Sequence, residues 1–266
     1  MDAEQFIKTW KGRDGNELGN SQSFLNDLCD LLEVPRPHDP KEGGTREEYS
    51  FERPVTFKHN NGKTSSGRID LYRRGAFVLE AKQGSEQKAR IADPRQYELV
   101  TGVTLTKQAA GMAVRGTPSW ISAMLKAKGQ AYAYARALDV SEGWPPFLIV
   151  VDIGNVIDVY ADFSGAGKNY TPFPDGTRHR IEMDALRDPD MRSMLRALWM
   201  DPKSLDPTQK SARVTRKISD ELAALGRSFH EQGHDAETTA RFLMRCLFTM
   251  FAEDVELIPK NSFTKL

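Results

Sequence analysis

Asp70, Glu80 and Lys82 are the side chains whose types and spacing can do chemistry together. They lie in the run Gly67-Arg68-Ile69-Asp70-Leu71-Tyr72-Arg73-Arg74-Gly75-Ala76-Phe77-Val78-Leu79-Glu80-Ala81-Lys82. Arg73-Arg74-Gly75 reads as a turn and Ala76 to Lys82 as an apolar strand, so the run predicts a hairpin. Alternate strand residues share a face, which puts Val78, Glu80 and Lys82 on one side and Phe77, Leu79 and Ala81 on the other. Charges at the end of such a strand must be satisfied near a core. Two carboxylates suit magnesium, a hard cation that prefers oxygen and keeps several waters, with strand carbonyls as further ligands. A metal so held lowers the pKa of a bound water and neutralises charge on a phosphate. A lysine beside that water orients or deprotonates it and stabilises the transition state. The chemistry would be metal-assisted phosphodiester hydrolysis. The competing reading is an ordinary hairpin with surface ion pairs, Lys82 to Glu80 or Arg68 to Asp70, because a D-x9-E-x-K spacing also arises by chance in a charged protein.

The surrounding elements must carry that hairpin. Residues 3–11 predict a short helix and Ser21 to Glu33 a clearer one, with Phe24, Leu25, Leu28, Leu31 and Leu32 as its apolar face and Pro35 ending it. Glu17 precedes that helix, near enough to add a third acidic side chain. Residues 36–48 are rich in Pro, Gly and charge and read as a loop. Strands follow at about 49–58, 66–72 and 76–82, the first pair joined by Asn60-Asn61-Gly62. Residues 83–117 read as a long polar insertion. A helix from Ser119 to Leu138 places Gln130 and Tyr134 one turn apart on one face. Phe147 to Ile153 is a buried strand and Val156 to Asp162 another. The order predicts an α/β sandwich with a mixed central sheet. A Gly-, Pro- and Asp-rich connection with a short helix near 184–199 leads to a wholly helical end. There Val214, Ile218, Leu222, Leu225 and Phe229 step by three or four, Gly233 breaks the run, and Asp235 caps a helix through Asp254.

Composition bounds the function classes. The chain has 266 residues, 28% charged and 39% hydrophobic, with a formal net charge of zero. That is room for one large domain or two small ones, and no global field advertises nucleic acid. The charge is uneven: residues 1–52 hold 12 acidic and 6 basic side chains, whereas residues 82–136 hold 9 basic and 3 acidic. A positive stripe beside the Asp-Glu-Lys trio fits phosphate steering, and equally fits a solvated helix face. Cys29 and Cys246 sit in apolar helical patterns and read as buried thiols of a reduced, cytoplasmic protein. No signal-peptide core and no membrane-length apolar run is visible.

Other motifs carry less. Gly165-Ala166-Gly167-Lys168 lacks the spacing and the following helix of a phosphate loop and reads as a turn. His179, His230 and His234 are scattered and read as surface residues. Met244, Met250 and Phe251 at helical spacing read as core. No Ser-His-Asp or zinc-ligand pattern is present.

Asp70-x9-Glu80-x-Lys82 after a strand, with Gln130-x3-Tyr134 on the next helix, resembles the PD-(D/E)xK nuclease superfamily in its Q-x3-Y subgroup. More closely, the chain resembles the N-terminal part of MmeI-like type IIL restriction–modification enzymes. Support comes from Phe147-Leu148-Ile149-Val150-Val151-Asp152, Tyr160-Ala161-Asp162-Phe163-Ser164 and Pro172-Phe173-Pro174. Downstream, Ser211-Ala212-Arg213-Val214-Thr215 and the stretch Arg241 to Asp254, with its Phe251-Ala252-Glu253-Asp254, resemble the family's helical spacer. The resemblance implies a PD-(D/E)xK restriction-endonuclease-like sandwich followed by an all-α spacer. It implies Asp70 and Glu80 as ligands of Mg2+, with Mn2+ able to substitute, and Lys82 as the catalytic lysine. Gln130 and Tyr134 would contact the DNA backbone or brace the site, and Glu17 is an accessory residue matched by position alone.

In that family one polypeptide joins nuclease, spacer, adenine-N6 methyltransferase and target-recognition domain. No methyltransferase strings occur here, so S-adenosylmethionine is expected only in a missing part of a longer protein. The resulting expectations are a nuclease domain at 1–184, with the 83–117 insertion, and a spacer at 185–266 truncated before a methyltransferase. The boundary falls somewhere in 185–208. Expected partners are double-stranded DNA, the polypeptide's own methyltransferase and target-recognition domains, and a second copy meeting transiently on DNA, with no membrane. Two functions follow: a Mg-dependent endonuclease module in phage defence, or a catalytically idle DNA-binding or scaffolding domain of a phage-defence methyltransferase.

Overall fold

The computed structural model describes residues 1–12, 17–37, 48–58, 62–85, 113–167, 169–255 and 257–259, with the side chains of 17–19, 210 and 254 also outside the description. The expected Asn60-Asn61 turn and most of the 83–117 insertion fall outside these residues. The chain divides into two compact units, Met1–Asp206 and Pro207–Leu266.

The first unit is an α/β sandwich. Its helices are α1 (Ala3–Trp10), α2 (Glu17–Leu31), α3 (Pro118–Ala137) and α4 (Pro189–Met200). Its strands are β1 (Tyr49–Lys58), β2 (Thr64–Arg73), β3 (Phe77–Lys82), β4 (Phe147–Asp152), β5 (Val156–Ala161) and the short β6 (Thr171–Pro172) and β7 (Arg180–Glu182). They form one seven-stranded mixed sheet in the order β1-β2-β3-β4-β5-β6, with β7 also on β5. All neighbours are antiparallel except β3 and β4, which run parallel. A parallel pair needs a crossover, and α3 lies between them in sequence.

β3, β4 and β5 are covered on both faces, which explains their near-continuous apolar runs. One core holds Phe6 and Trp10 of α1, Phe24 and Leu28 of α2, Leu195 and Trp199 of α4, and Leu79, Ala81, Ile149 and Val151 of the sheet. The other holds Val78, Leu148 and Val150 of the sheet against Trp120, Met124, Ala131 and Tyr134 of α3. A buried polar tie closes the first core: Trp199 Nε1 donates to Tyr49 Oη at 3.1 Å, and Cys29 Sγ lies 3.3 Å from the same oxygen. Burial pushes the Cys29 thiol up.

The first compact unit extends through Asp206. A 3₁₀ turn at Met183–Arg187 leads into α4, whose Leu195, Leu198 and Trp199 belong to the core. The sequence marked a connection with a short helix near 184–199, and the buried face of that helix attaches it to the core.

The second unit contains α5 (Pro207–Glu231) and α6 (Ala236–Asp254). Gly233 breaks between them at a φ of 85°, and Asp235 caps α6 by accepting from Thr238 N at 2.9 Å. Phe229 and Phe242 meet edge to face across the pair at 5.8 Å. The expectation that Met244, Met250 and Phe251 are core is corrected: they are 57%, 52% and 60% exposed. Two helices share a single seam, so a helix apolar on more than one side leaves side chains outside it. Cys246 is half-buried rather than buried.

Candidate active site

The hairpin that carries the trio is distorted where the trio begins. β1 and β2 pair residue for residue, but the level of Glu52 and Asp70 is skipped, and Glu52 takes a φ of 51°. Tyr49 and Phe51 belong to the first core, whereas Val55 and Phe57 pack with the second. The strand therefore changes faces at Glu52. Pairing of β2 with β3 ends at Leu71 and Leu79, one level short of Asp70.

Asp70 takes up what the ladder drops. Its Oδ2 accepts from Ala81 N at 2.7 Å, so a side chain replaces the backbone acceptor of the departing strand. In an extended residue the N–H and C=O point to the same edge, so the Ala81 carbonyl is turned toward that opening too. Beside it Glu80 is 1% exposed, and its Oε1 accepts from Lys82 Nζ at 2.7 Å. Glu80 and Lys82 alternate with Ala81, on the α3 side with Val78. The fold thus brings positions 70, 80, 81 and 82 to one point of the sheet. The Lys82–Glu80 pair forms, but its carboxylate is buried, which an ordinary surface pair is not. Arg68 faces Glu52 at 4.0 Å.

Gln130 and Tyr134 are brought to each other, with Gln130 Nε2 donating to Tyr134 Oη at 2.8 Å. The Tyr134 ring is buried and stacks on Phe57, centroids 5.8 Å apart. It lies over Gly67 of β2, where a Cβ would come within 2.6 Å of its Cε1. Gly67 stands three residues before Asp70, so this pair supports the strand that delivers the aspartate. Glu17 opens α2, and its side chain lies outside the described residues. Asn20, one turn on, donates to Gln83 Oε1 at 3.3 Å, which brings that helix end to the residue after Lys82.

Among the described residues no group of three or more His, Cys, Asp or Glu side chains converges as a metal cage. Among the described residues no histidine joins the site: His230 and His234 are exposed, and His179, half-buried, rests on the Tyr160 ring. Phe163 and Ser164 form a turn that continues as a bend at Gly165 and Ala166, and Lys168 lies outside the described residues.

A groove of about 590 Å³ runs between β1 and the end of α3, lined by Arg53, Phe57, Arg136 and Glu142 among others. Glu142 accepts there from Arg53 and from Tyr72 Oη, both at 2.7 Å, so its charge is already matched. Burial, with Glu142 as hydrogen-bond acceptor, raises the Tyr72 phenol.

Sequence reasoning missed one polar cluster next to the trio. Asp152 closes β4, opposite Lys82 in the parallel register, and is fully buried. It accepts from Gly84 N and Trp120 Nε1 at 2.8 Å, Asn155 Nδ2 at 2.8 Å, and Arg115 Nε and Nη2 at 3.0 and 3.3 Å. The signal was available: an acid at the end of Phe147-Leu148-Ile149-Val150-Val151 has the same form as Glu80 after Phe77-Val78-Leu79.

Comparison with known families decides the affiliation. The family model described as "MmeI, N-terminal domain" matches residues 1–232, most of the chain. The chain belongs to this family. A second model, "MmeI, helicase spacer domain", matches residues 237–266. Its members' two consecutive segments, N-terminal domain and spacer, are therefore both present, as in an MmeI-like type IIL restriction–modification enzyme. The change of family model falls between α5 and α6, whereas the compact units divide before α5. No curated protein and no solved structure matches the chain. No helix of the described residues is long and apolar enough to cross a membrane.

Proposed function

We propose that the first unit is a Mg-dependent DNA endonuclease module of PD-(D/E)xK type, the cleaving part of a restriction–modification polypeptide in phage defence. The observation that carries it is the Asp70 carboxylate seated on Ala81 N–H, beside Glu80 and its lysine. Asp70, Glu80 and the Ala81 carbonyl make a hard oxygen donor set. Magnesium typically uses one or two carboxylates and keeps waters, so a larger cage is not required. When bound, the metal supplies an acidified water and neutralises phosphate charge.

The chain's own residues do the rest. Lys82, held at Glu80 and 29% exposed at its side chain, presents its ammonium to the attacking water or to a phosphate oxygen. Ala81 N–H orients Asp70. Gln130 and Tyr134 brace β2 or meet the DNA backbone, and Glu17 is an accessory acid one turn from Asn20. S-adenosylmethionine belongs to a methyltransferase part of such a polypeptide, double-stranded DNA is the substrate, and two copies meet on a duplex for double-strand cutting.

A second reading, a catalytically idle DNA-binding or scaffolding domain, is favoured by one observation. The Glu80 carboxylate is buried and matched by Lys82 within the chain, as in a structural ion pair. Calorimetric Mn2+ and Mg2+ titration with plasmid nicking, on the chain and on Asp70→Asn and Lys82→Ala, separates the two. Metal uptake lost in Asp70→Asn and nicking lost in both variants supports the nuclease. Salt-dependent DNA binding with no carboxylate-dependent metal uptake supports the scaffold.

A further inference from the structure

Lys82 has two anions within its row on the α3 face of the sheet. Glu80 precedes it by two on its own strand, and Asp152 is its Cα partner on β4. The ammonium goes to Glu80 at 2.7 Å. Asp152 is fully buried, and a buried carboxylate demands a cation or a full set of donors. Arg115 supplies the cation: its Nε lies 3.0 Å from Asp152 Oδ2, and Nη2 lies 3.3 Å from Oδ1 and 2.8 Å from the Ile153 carbonyl. Gly84 N, Trp120 Nε1 and Asn155 Nδ2 supply the remaining bonds. A carboxylate offers about four lone-pair sites, so five donors leave Asp152 no demand for an ammonium. The surroundings are closed as well: a Cβ on Gly84 would lie 3.0 Å from Asp152 Oδ2 and 3.2 Å from Trp120 Cδ1.

We propose that Arg115 is a positioning residue: by matching Asp152 it keeps Lys82 turned to Glu80 and out of the neighbouring buried site. This rests on the reading of Lys82 as the lysine of the cleavage site. Arg115 acts through Lys82 and touches no reacting atom. Loss of its charge leaves Asp152 buried and unmatched, and Lys82, directly across the strand pair, is drawn to it. Loss of the Asp152 charge leaves Lys82 where it is. Loss of one partner of the ion pair therefore displaces Lys82 and loss of the other does not, an asymmetry that a purely structural pair would not show.

The test uses the full chain with Mg2+ and supercoiled plasmid, rates being referred to the folded fraction. Arg115→Met, or Arg115→Gln where the first folds poorly, lowers kcat roughly a hundredfold, the size that a misplacement of about 1 Å carries, with KM and calorimetric Mn2+ affinity unchanged. Asp152→Asn keeps kcat within about threefold of wild type despite lower stability, and adding it to Arg115→Met restores kcat, because coupled neighbours are not additive. Crystal structures supply an arm independent of cleavage: Lys82 Nζ bonds Asp152 in the Arg115 variant and Glu80 in the double variant. Lys82 still on Glu80 in the Arg115 variant, or a folded Asp152→Asn that has lost kcat, overturns the proposal. A wild-type chain that does not cleave sinks the nuclease reading, and the crystallographic arm still decides this one.

Discussion

Gly67→Ala tests the support beneath the candidate site. Gly67 lies in β2 opposite Val55, with ordinary strand pairing and no positive φ. At such a position an added methyl stabilises by about 0.4–1 kcal/mol, by reducing the freedom of the unfolded chain. Here the methyl would lie 2.6 Å from Tyr134 Cε1 and 2.9 Å from Phe57 Cε2, against about 3.5–4.0 Å for carbons in contact. Both rings are held, Tyr134 by its stack on Phe57 and by Gln130. Overpacking of this kind costs about 1–3 kcal/mol, so the sign reverses and, net of that gain, stability falls by about 1 kcal/mol, or about 2–4 °C in Tm for a unit of this size. All four tryptophans, Trp10, Trp120, Trp144 and Trp199, lie in the first unit, so urea unfolding followed by their fluorescence reads it alone. Tyr134→Ala leaves a cavity costing about 3–5 kcal/mol, and the double variant is less destabilised than the sum by about 1–2 kcal/mol, beyond the ~0.5 kcal/mol scatter of independent sites. A Gly67→Ala protein as stable as wild type, or strict additivity with Tyr134→Ala, would refute the argument that this glycine exists to seat the tyrosine.

Three further outcomes are expected. Thiol labelling of the native chain with a chromogenic disulfide at pH 8 modifies half-buried Cys246 first, while Cys29, buried with its thiol pushed up, reacts only on unfolding; fast labelling of both would contradict that burial. Glu142→Gln leaves the Arg53 guanidinium, 13% exposed, without its carboxylate, and breaking such a buried pair costs about 3–5 kcal/mol, read as a lower urea midpoint. The Asp175 carboxyl is held low by Thr177 and Arg178 in its turn. A lowered folded pKa contributes stability that is fully present above the unfolded value of about 3.9 and is lost as pH falls from there through the folded value. Asp175→Asn therefore flattens the acid limb of a Tm–pH curve below pH 4 while leaving pH 7 to 9 parallel to wild type; an unchanged acid limb counts against it.

Much of this was legible in the chain itself. The two-residue alternation placed Glu80 and Lys82 on one strand face, the Arg73-Arg74-Gly75 turn set the hairpin, and the three-to-four-residue periodicities marked α2, α3, α5 and α6, all of them local effects of backbone geometry. Asp235 and the break at Gly233 were likewise readable, because capping is decided within a few residues. Local pattern was weaker where burial by distant elements decided the matter. The short helix near 184–199 was readable, but that it belongs to the first core was decided only where Trp199 meets Tyr49, 150 residues away in sequence. Met244, Met250 and Phe251 looked like core because a hydrophobic side chain carries no mark of whether a partner surface exists.

What the sequence by itself determined is the inventory and its spacing: two acids and a lysine on a hairpin, an amide and a phenol one helical turn apart. Only the tertiary structure decided how they face one another. Pairing of β2 with β3 stops at Leu71, and there the Asp70 side chain reaches Ala81 N–H, while Asp152 meets Arg115, Trp120 and Gly84 from segments with no common pattern. The physical reason is range: backbone sterics act over a few residues, whereas matching a buried charge depends on whichever groups the folded chain delivers to it.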